Sequence, residues 1–348
     1  YLRPAIEVLD GKPPLTANHW RARLAGRYAM AEAALTFGGD AERDLDEGVK
    51  AAYAIMVLDP GPRTEERLAL ILRVRFESVI DKPEAQASYE ELVRICERVM
   101  LARPDDGDTA NILGVAHMEW AGQLANQRRD NGDALAKANA AFEKSLGGQR
   151  EAALYNLGAV ALLRAERAIA RSLDPSADLA AAITQLETAL KLSPDEPNFI
   201  AGLTAAGVSR AGWLLSVGRL DEAARALEEV QRWCERGSAL SKRNPELLHR
   251  CGRSALLAIE LGAARKLPLP PLVARAEQAA AQFREVLPRS RDSANLLART
   301  LLVRGSLAKD RKEAATIFDR SEPLLDTAAA STPPNGETAA LRVVLELL

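Results

Sequence analysis

Aromatic side chains make up only 4% of this 348-residue chain, although hydrophobic residues make up 47%. Strand builders are scarce as a result, and the wealth of Ala, Leu, Glu and Arg favours helix. Cysteine is also scarce: Cys96, Cys234 and Cys251 are an odd number with no CxxC spacing. That pattern speaks against a disulfide framework or a zinc site and reads as reduced, buried thiols. An excess of either charge is missing too, with 46 basic against 48 acidic residues and a net charge of −2. No overall field draws such a chain to nucleic acid or to an anionic membrane. No apolar run reaches the roughly 18 residues that cross a bilayer, and the N-terminus lacks the basic-then-apolar pattern of a secretion signal. The expected setting is cytoplasmic, or periplasmic if the chain belongs to a membrane-anchored parent. Tyr1 is no initiator Met, and Glu337 to Leu348 form an amphipathic stretch with no stop signal. Both ends read as cut from something larger.

What the chain does have is a period. A small residue or its apolar substitute recurs every 44 positions, at Gly26, Leu70, Gly114, Gly158 and Gly202. Around each lies a long apolar-periodic helix, a polar break, a second helix and a turn often marked by proline. The breaks are Gly38-Gly39-Asp40, Asp130-Asn131-Gly132-Asp133, Asp174-Pro175-Ser176 and Gly218-Arg219. Such residues form turns and cap the helix that follows. The second helices end at Leu58-Asp59-Pro60, Ala102-Arg103-Pro104, Leu192-Ser193-Pro194 and Arg243-Asn244-Pro245, where proline disfavours continuation.

Seven helical hairpins result, with first helices starting near Ala17, Pro62, Asp108, Arg150, Glu196, Pro245 and Asp292. A unit of this kind buries its apolar face against its neighbours, so the expectation is one elongated, all-α solenoid. It occupies residues 17–331, after a lead-in segment over 1–16 and before a capping helix over 332–348 that follows Pro333-Pro334-Asn335-Gly336. The spacing slips after Gly202, to Gly252 and Ala298, which places extra residues in a longer second helix around Trp233 to Ser241. Lys266-Leu267-Pro268-Leu269-Pro270-Pro271 is too proline-rich for helix and reads as the inner loop of the sixth hairpin, a stiff spacer or a site for a proline-binding module.

The segments Ala152-Ala-Leu-Tyr-Asn-Leu-Gly158 and Leu186-Glu-Thr-Ala-Leu-Lys-Leu-Ser-Pro194 resemble the tetratricopeptide repeat, with its small residue in the first helix and its Ala-Leu…Pro ending on the second. The standard unit of that family has about 34 residues, so these helices are longer. The resemblance implies a right-handed α-solenoid. Long repeats carrying Arg-Ser-Leu-Asp-Pro-Ser-Ala-Asp-Leu (171 to 179) also look like the tails that follow the catalytic domain in some bacterial serine/threonine protein kinases. No glycine-rich loop, Val-Ala-Ile-Lys, His-Arg-Asp or Asp-Phe-Gly is present, so these residues are not expected to transfer phosphate.

Other chemistry is not signalled. His19, His117 and His249 lie far apart, in no HExxH or His/Cys pair, and read as helix-surface residues. Ser306-Leu-Ala-Lys309 matches Ser-x-x-Lys without its companion motifs. Gly38-Gly39 and Gly147-Gly148 follow no strand, so they read as hinges and not as phosphate cradles. No metal or cofactor is expected. Trp20, Trp120, Trp213 and Trp233 read as packing between hairpins.

Binding is expected on the first helices, which the repeat resemblance places along a concave groove. Three residues before each period position stand Arg23, Arg67, Asn111, Tyr155, Phe199, His249 and Asn295. One residue after come Arg27, Ile71, Val115, Ala159, Leu203, Arg253 and Arg299. Arg23, Arg27 and Arg67, with Arg63, suit an acidic or phosphorylated peptide, since guanidinium forks bind carboxylate and phosphate bidentately. The alternative is that they solvate a helix face or pair with acids on the neighbouring unit. Tyr155 and Phe199 suit a hydrophobic anchor, and Asn111 and Asn295 suit hydrogen bonding to a ligand backbone. The expected function is a non-catalytic protein-interaction scaffold, the repeat region of a bacterial kinase. The alternatives are a sensor of a small effector and a module that controls an attached enzyme in cis.

Overall fold

A computed structural model of the chain describes residues 16–36, 41–330 and 336–347. The described residues contain helices and no strand. The lead-in segment up to residue 15, the break at Gly38-Gly39-Asp40 and the Pro333-Pro334-Asn335 turn lie outside them. The helices are α1 (Ala17–Thr36), α2 (Glu42–Leu58), α3 (Pro62–Val79), α4 (Ala85–Ala102), α5 (Gly107–Asn126), α6 (Gly132–Ser145), α7 (Arg150–Ala170) and α8 (Ser176–Leu192). They continue with α9 (Pro197–Ser216), α10 (Leu220–Leu240), α11 (Pro245–Ala264), α12 (Pro270–Val286), α13 (Arg291–Ser306), α14 (Arg311–Asp319), α15 (Glu322–Ala329) and α16 (Gly336–Leu347). The chain is an all-α repeat of helical hairpins of the α-solenoid class. Its odd-numbered first helices α1 to α13 begin within one residue of the starts expected from sequence.

Local chemistry sets these boundaries. Pro62, Pro197, Pro245 and Pro270 occupy first turns, where a missing N–H is no loss. Pro270-Pro271 therefore open α12, and the inner loop of the sixth hairpin stops at Leu269. Asp106, Asn244, Ser290 and Asp310 accept the N–H of the residue three positions on, satisfying a donor that the helix cannot. Asp59, Arg103, Ser193 and Leu287, each preceding a proline, close second helices with φ between −125° and −148° and ψ between 72° and 81°. Steric pressure from the proline ring excludes the α region there.

Four first helices, α5, α7, α9 and α11, end differently. Arg128, Ser172 and Lys266 take φ 57°, and Gly218 takes φ 75°. The following N–H then reaches back to a carbonyl five residues earlier: Arg129 to Leu124, Leu173 to Ala168, Arg219 to Leu214 and Leu267 to Gly262, at 2.8–2.9 Å. This is the six-to-one bond of the Schellman motif. The longest second helix is α10, at 21 residues.

Packing gathers the chain into two compact units, Tyr1–Arg164 and Ala165–Leu348, with the boundary inside α7, where the sequence implies one continuous body. In the first unit α1, α3 and α5 each pack on their hairpin mates, and first helix meets first helix where α1 packs on α3 and α3 on α5. Leu45, Ile55, Leu68, Phe76, Leu92 and Ile95 fill one core, and Leu135, Phe142, Leu157 and Val160 another. Full burial of such side chains contributes about 1.5–3 kcal/mol each. The second unit repeats the pattern, with α9 on α11 and α11 on α13. Leu214, Leu227 and Leu261 form one of its clusters, and Leu256, Val273 and Phe283 another. The last second-helix position is split: α14 and α15 both lie on α13, and α16 packs through Leu341 onto Leu302 and Leu325.

Two expectations are corrected here. Cys234 of α10 and Cys251 of α11 form a disulfide across 17 residues, and only Cys96 is a free, buried thiol. The residues share no motif; the pairing arises because α10 packs on α11 at that level. His117 is buried and not a surface residue: its Nδ1 meets the Tyr89 hydroxyl at 2.8 Å.

Candidate ligand-binding clefts

The residues one position after the period do not form a continuous open wall: Arg253 and Arg299 reach a cleft, whereas three others turn inward. Ile71 and Leu203 are buried, and Arg27 is 4% exposed, held by Asp44 of α2 at 2.5 Å. Gly48 explains the turn inward. A Cβ there would lie 3.0 Å from the Ile71 side chain and 3.5 Å from the Arg27 Cβ, so the bare backbone of α2 lets both residues point at the second helix. Arg27 is thereby removed from the expected anion site.

The column three residues before the period splits by hairpin. Arg23 turns to Glu47 of α2 at 3.0 Å and stacks over Trp20. Asn111 accepts a hydrogen bond from Asn156 at 2.9 Å. Phe199 is buried in the first turn of α9, and Tyr155 is half-buried. Arg67, His249 and Asn295 are the members that the structure brings to clefts.

The first cleft, of about 500 Å³, lies between α1 and α3. Leu24, Ala25 and Leu70 supply apolar lining, with Arg21, Tyr28 and Arg67 around them. Arg67 is exposed and makes no hydrogen bond or ion pair among the described residues. Arg21 pairs with Asp59 at the end of α2. The Tyr28 hydroxyl donates to Glu32 at 2.5 Å, and burial raises its pKa. Arg21 and Tyr28 escaped the sequence reading because they stand five residues before and two after Gly26, outside both columns.

The second cleft, of about 340 Å³, lies among α11, α13 and α16. His249 and Arg253, one turn apart on α11, face Asn295 and Arg299, one turn apart on α13. Leu256 and Leu296 line it as well, and Asp292 and Glu337 complete it. His249 stacks on Phe283 with ring centroids 5.3 Å apart, and burial pushes its pKa down to about 4, so the imidazole is neutral at pH 7. Arg299 pairs with Glu260 at 3.0 Å, while Arg253 makes no hydrogen bond or ion pair among the described residues. Asn295 is 1% exposed; its Oδ1 accepts from Thr338 of α16 at 3.1 Å, and its Nδ2 has no partner. Asp292 and Glu337 were missed because neither sits in a recurring column.

Tyr89 also stacks on Trp120, 5.0 Å between centroids. Glu119 is pushed up to about 7 by burial. Trp213 and Trp233 are half-buried beneath Arg219 and Arg236. Among the described residues no three His, Cys, Asp or Glu side chains converge for a metal, and no helix is long and apolar enough to cross a membrane.

No family model and no curated protein matches the chain. Solved structures do. Yeast Tom70 aligns over 99% of this chain and 58% of its own, with a TM-score of 0.56 and 15% identity. Nro1 of S. pombe, a nuclear import adaptor, aligns over 82% of this chain and 99% of its own, with a TM-score of 0.50 and 12% identity. TTC0263 of Thermus thermophilus, a tetratricopeptide repeat protein, is covered completely by 68% of this chain, with a TM-score of 0.44 and 16% identity. The chain thus spans a little over half of Tom70. At these identities the likeness is one of fold.

Proposed function

We propose that this chain is a non-catalytic scaffold that holds a protein partner on the first-helix face of its N-terminal unit. The observation that carries the reading is Arg67, an exposed cation without a protein partner among the described residues, at an apolar cleft large enough for a bulky side chain. An acidic segment with an apolar anchor satisfies both halves of that surface: leucine-like bulk against Leu24 and Leu70, carboxylates toward Arg67 and Arg21. The adaptor role named for Nro1 supports a scaffold in general terms. The setting that the kinase-tail resemblance suggests is a catalytic domain preceding Tyr1, for which the scaffold recruits substrates. Fluorescence anisotropy with a labelled peptide of alternating Glu and Leu, and with its phosphoserine counterpart, tests the reading. Wild-type chain is expected to bind, and Arg67→Glu to weaken binding about tenfold or more, with Arg21→Glu adding to the loss. Equal affinity for wild type and Arg67→Glu overturns the site.

A further inference from the structure

We infer that the cleft among α11, α13 and α16 is a binding site for a small zwitterion, a compound such as a free amino acid or dipeptide that carries an ammonium and a carboxylate group. This site is separate from the α1–α3 cleft and does not depend on the scaffold reading.

Three observations carry it. The first is an unfinished hydrogen-bond inventory. A buried amide is normally satisfied on both its oxygen and its nitrogen. Asn295, 1% exposed, uses only its oxygen, on Thr338. Exchanging the amide's oxygen and nitrogen moves the vacancy from a donor to an acceptor without removing it. Either way a polar atom lies beside the cleft with nothing to bond.

The second is the distribution of charge. On α13, Asp292, Asn295 and Arg299 share one face over seven residues, about 10 Å along the axis. The Asp292 carboxylate, with the Arg291 guanidinium 3.6 Å away, stands at the start of that run and the Arg299 guanidinium, paired with Glu260, at its end, while Glu337 of α16 adds a second carboxylate to the lining. Across the cleft Arg253 adds to the positive end; it makes no salt bridge among the described residues, although Glu166 lies within electrostatic range of it. Between the two ends lie the neutral imidazole of His249 and the amide of Asn295, which contribute hydrogen bonds and no charge. A ligand with charges of both signs matches this dipole; a simple anion meets Asp292, and a simple cation meets two arginines.

The third is size. A cleft of about 340 Å³ sits at the small end of ligand pockets, and α16 bounds it through Thr338 and Glu337. A short ligand with free termini suits it better than the middle of a long chain.

The test is isothermal titration of the full chain with a panel of free amino acids and dipeptides, each also offered N-acetylated, C-amidated and doubly capped. At least one free zwitterion is expected to bind, and capping either terminus to weaken it about tenfold or more. Arg253→Met is expected to lose that affinity. Asp292→Asn is expected to lose preference for the free ammonium over the acetylated form, which a merely structural role does not predict. Asn295→Ser, retaining a small polar group, keeps the site testable if larger changes unfold α13. Arg67→Glu leaves zwitterion binding unchanged. Failure of the whole panel, equal affinity for capped and free forms, or wild-type affinity in Arg253→Met overturns the inference.

Discussion

Asn156 of α7 donates through its Nδ2 to Oδ1 of Asn111 on α5, at 2.9 Å and 45 residues away. The relationship recurs in the second unit, where Asn244 donates to Asn198 at 3.3 Å across 46 residues and Thr338 to Asn295 at 3.1 Å across 43. A short polar side chain thus bridges equivalent positions one period apart at three places: α5 to α7, α9 to the N-cap of α11, and α13 to the capping helix α16. Asn111 and Asn295 serve this stacking contact first. Replacing Asn111 with Ala strands the buried Asn156 amide and is expected to cost about 1–3 kcal/mol. Asn156→Leu in the same background is expected to recover part of the loss, since no polar group is then left unpaired. Urea unfolding of the two single variants and the double variant gives the coupling.

The left-handed residues at the ends of first helices give a second expectation. Arg128, Ser172 and Lys266 hold φ 57° without being glycine, a conformation that costs an L-residue about 1 kcal/mol or more. Ser172→Gly and Lys266→Gly are expected to raise stability by up to about 1 kcal/mol each, and Gly218→Ala to lower it by a similar amount. Thermal unfolding checks the signs, which should be opposite.

Much of this architecture was legible because its punctuation is chemical. Prolines stop the second helices at Asp59, Arg103 and Ser193 and open the first helices at Pro62 and Pro245, whatever the tertiary contacts. What stayed hidden depends on azimuth. Counting from Gly26 places Arg27 on a helix but does not say that Gly48 of the neighbouring helix leaves room for it to turn inward. The same gap hid His117, whose burial is satisfied by Tyr89 from another hairpin. It hid the second cleft as a unit, since Asp292 and Glu337 join His249 and Asn295 only once three helices pack. The disulfide was missed for a related reason: Cys234 and Cys251 lie 17 residues apart on two helices, where proximity is a matter of packing.

That disulfide makes a direct prediction. Denatured chain without reductant should accept a thiol label once, at Cys96, and three times after reduction. Native chain should label slowly or not at all, because Cys96 is buried and burial pushes its thiol up to about 12. Cys234→Ser with Cys251→Ser is expected to lower stability by about 2–4 kcal/mol, the usual range for removing such a link.

Glu119 and His117 give the stability of the first unit opposite pH dependences. Burial raises Glu119 to about 7, with Glu77 adding to the rise. The folded state therefore holds a proton that the unfolded chain releases near its ordinary value, and stability falls as pH climbs from about 4.5 to 7. His117 is lowered to about 4 by burial, so the unfolded chain gains a proton first and stability falls as pH drops from about 6.5 to 4. The two windows overlap between about pH 4.5 and 6.5, where the slopes offset, so Glu119→Gln should unmask a rise of stability with pH that the wild-type chain shows weakly. Urea midpoints between pH 4 and pH 8 for both proteins distinguish the two groups.

The period itself can be tested at Gly114. A Cβ on this residue would lie 2.5 Å from the Phe142 ring, which is fully buried in α6, so glycine is what allows α5 and α6 to approach. An aromatic ring enclosed by Leu135, Leu157 and Val160 has little room to retreat. Gly114→Ala is expected to destabilise the chain by about 1–3 kcal/mol, despite alanine's better helix propensity. Shrinking the ring separates the steric cause from any other: Phe142→Leu alone leaves a cavity and costs stability, yet in the Gly114→Ala background the added methyl occupies part of that space. The double variant is therefore expected to be more stable than the two single losses summed. Strict additivity would locate the cost of the methyl outside the α5–α6 contact and remove the steric reason for a small residue at that position.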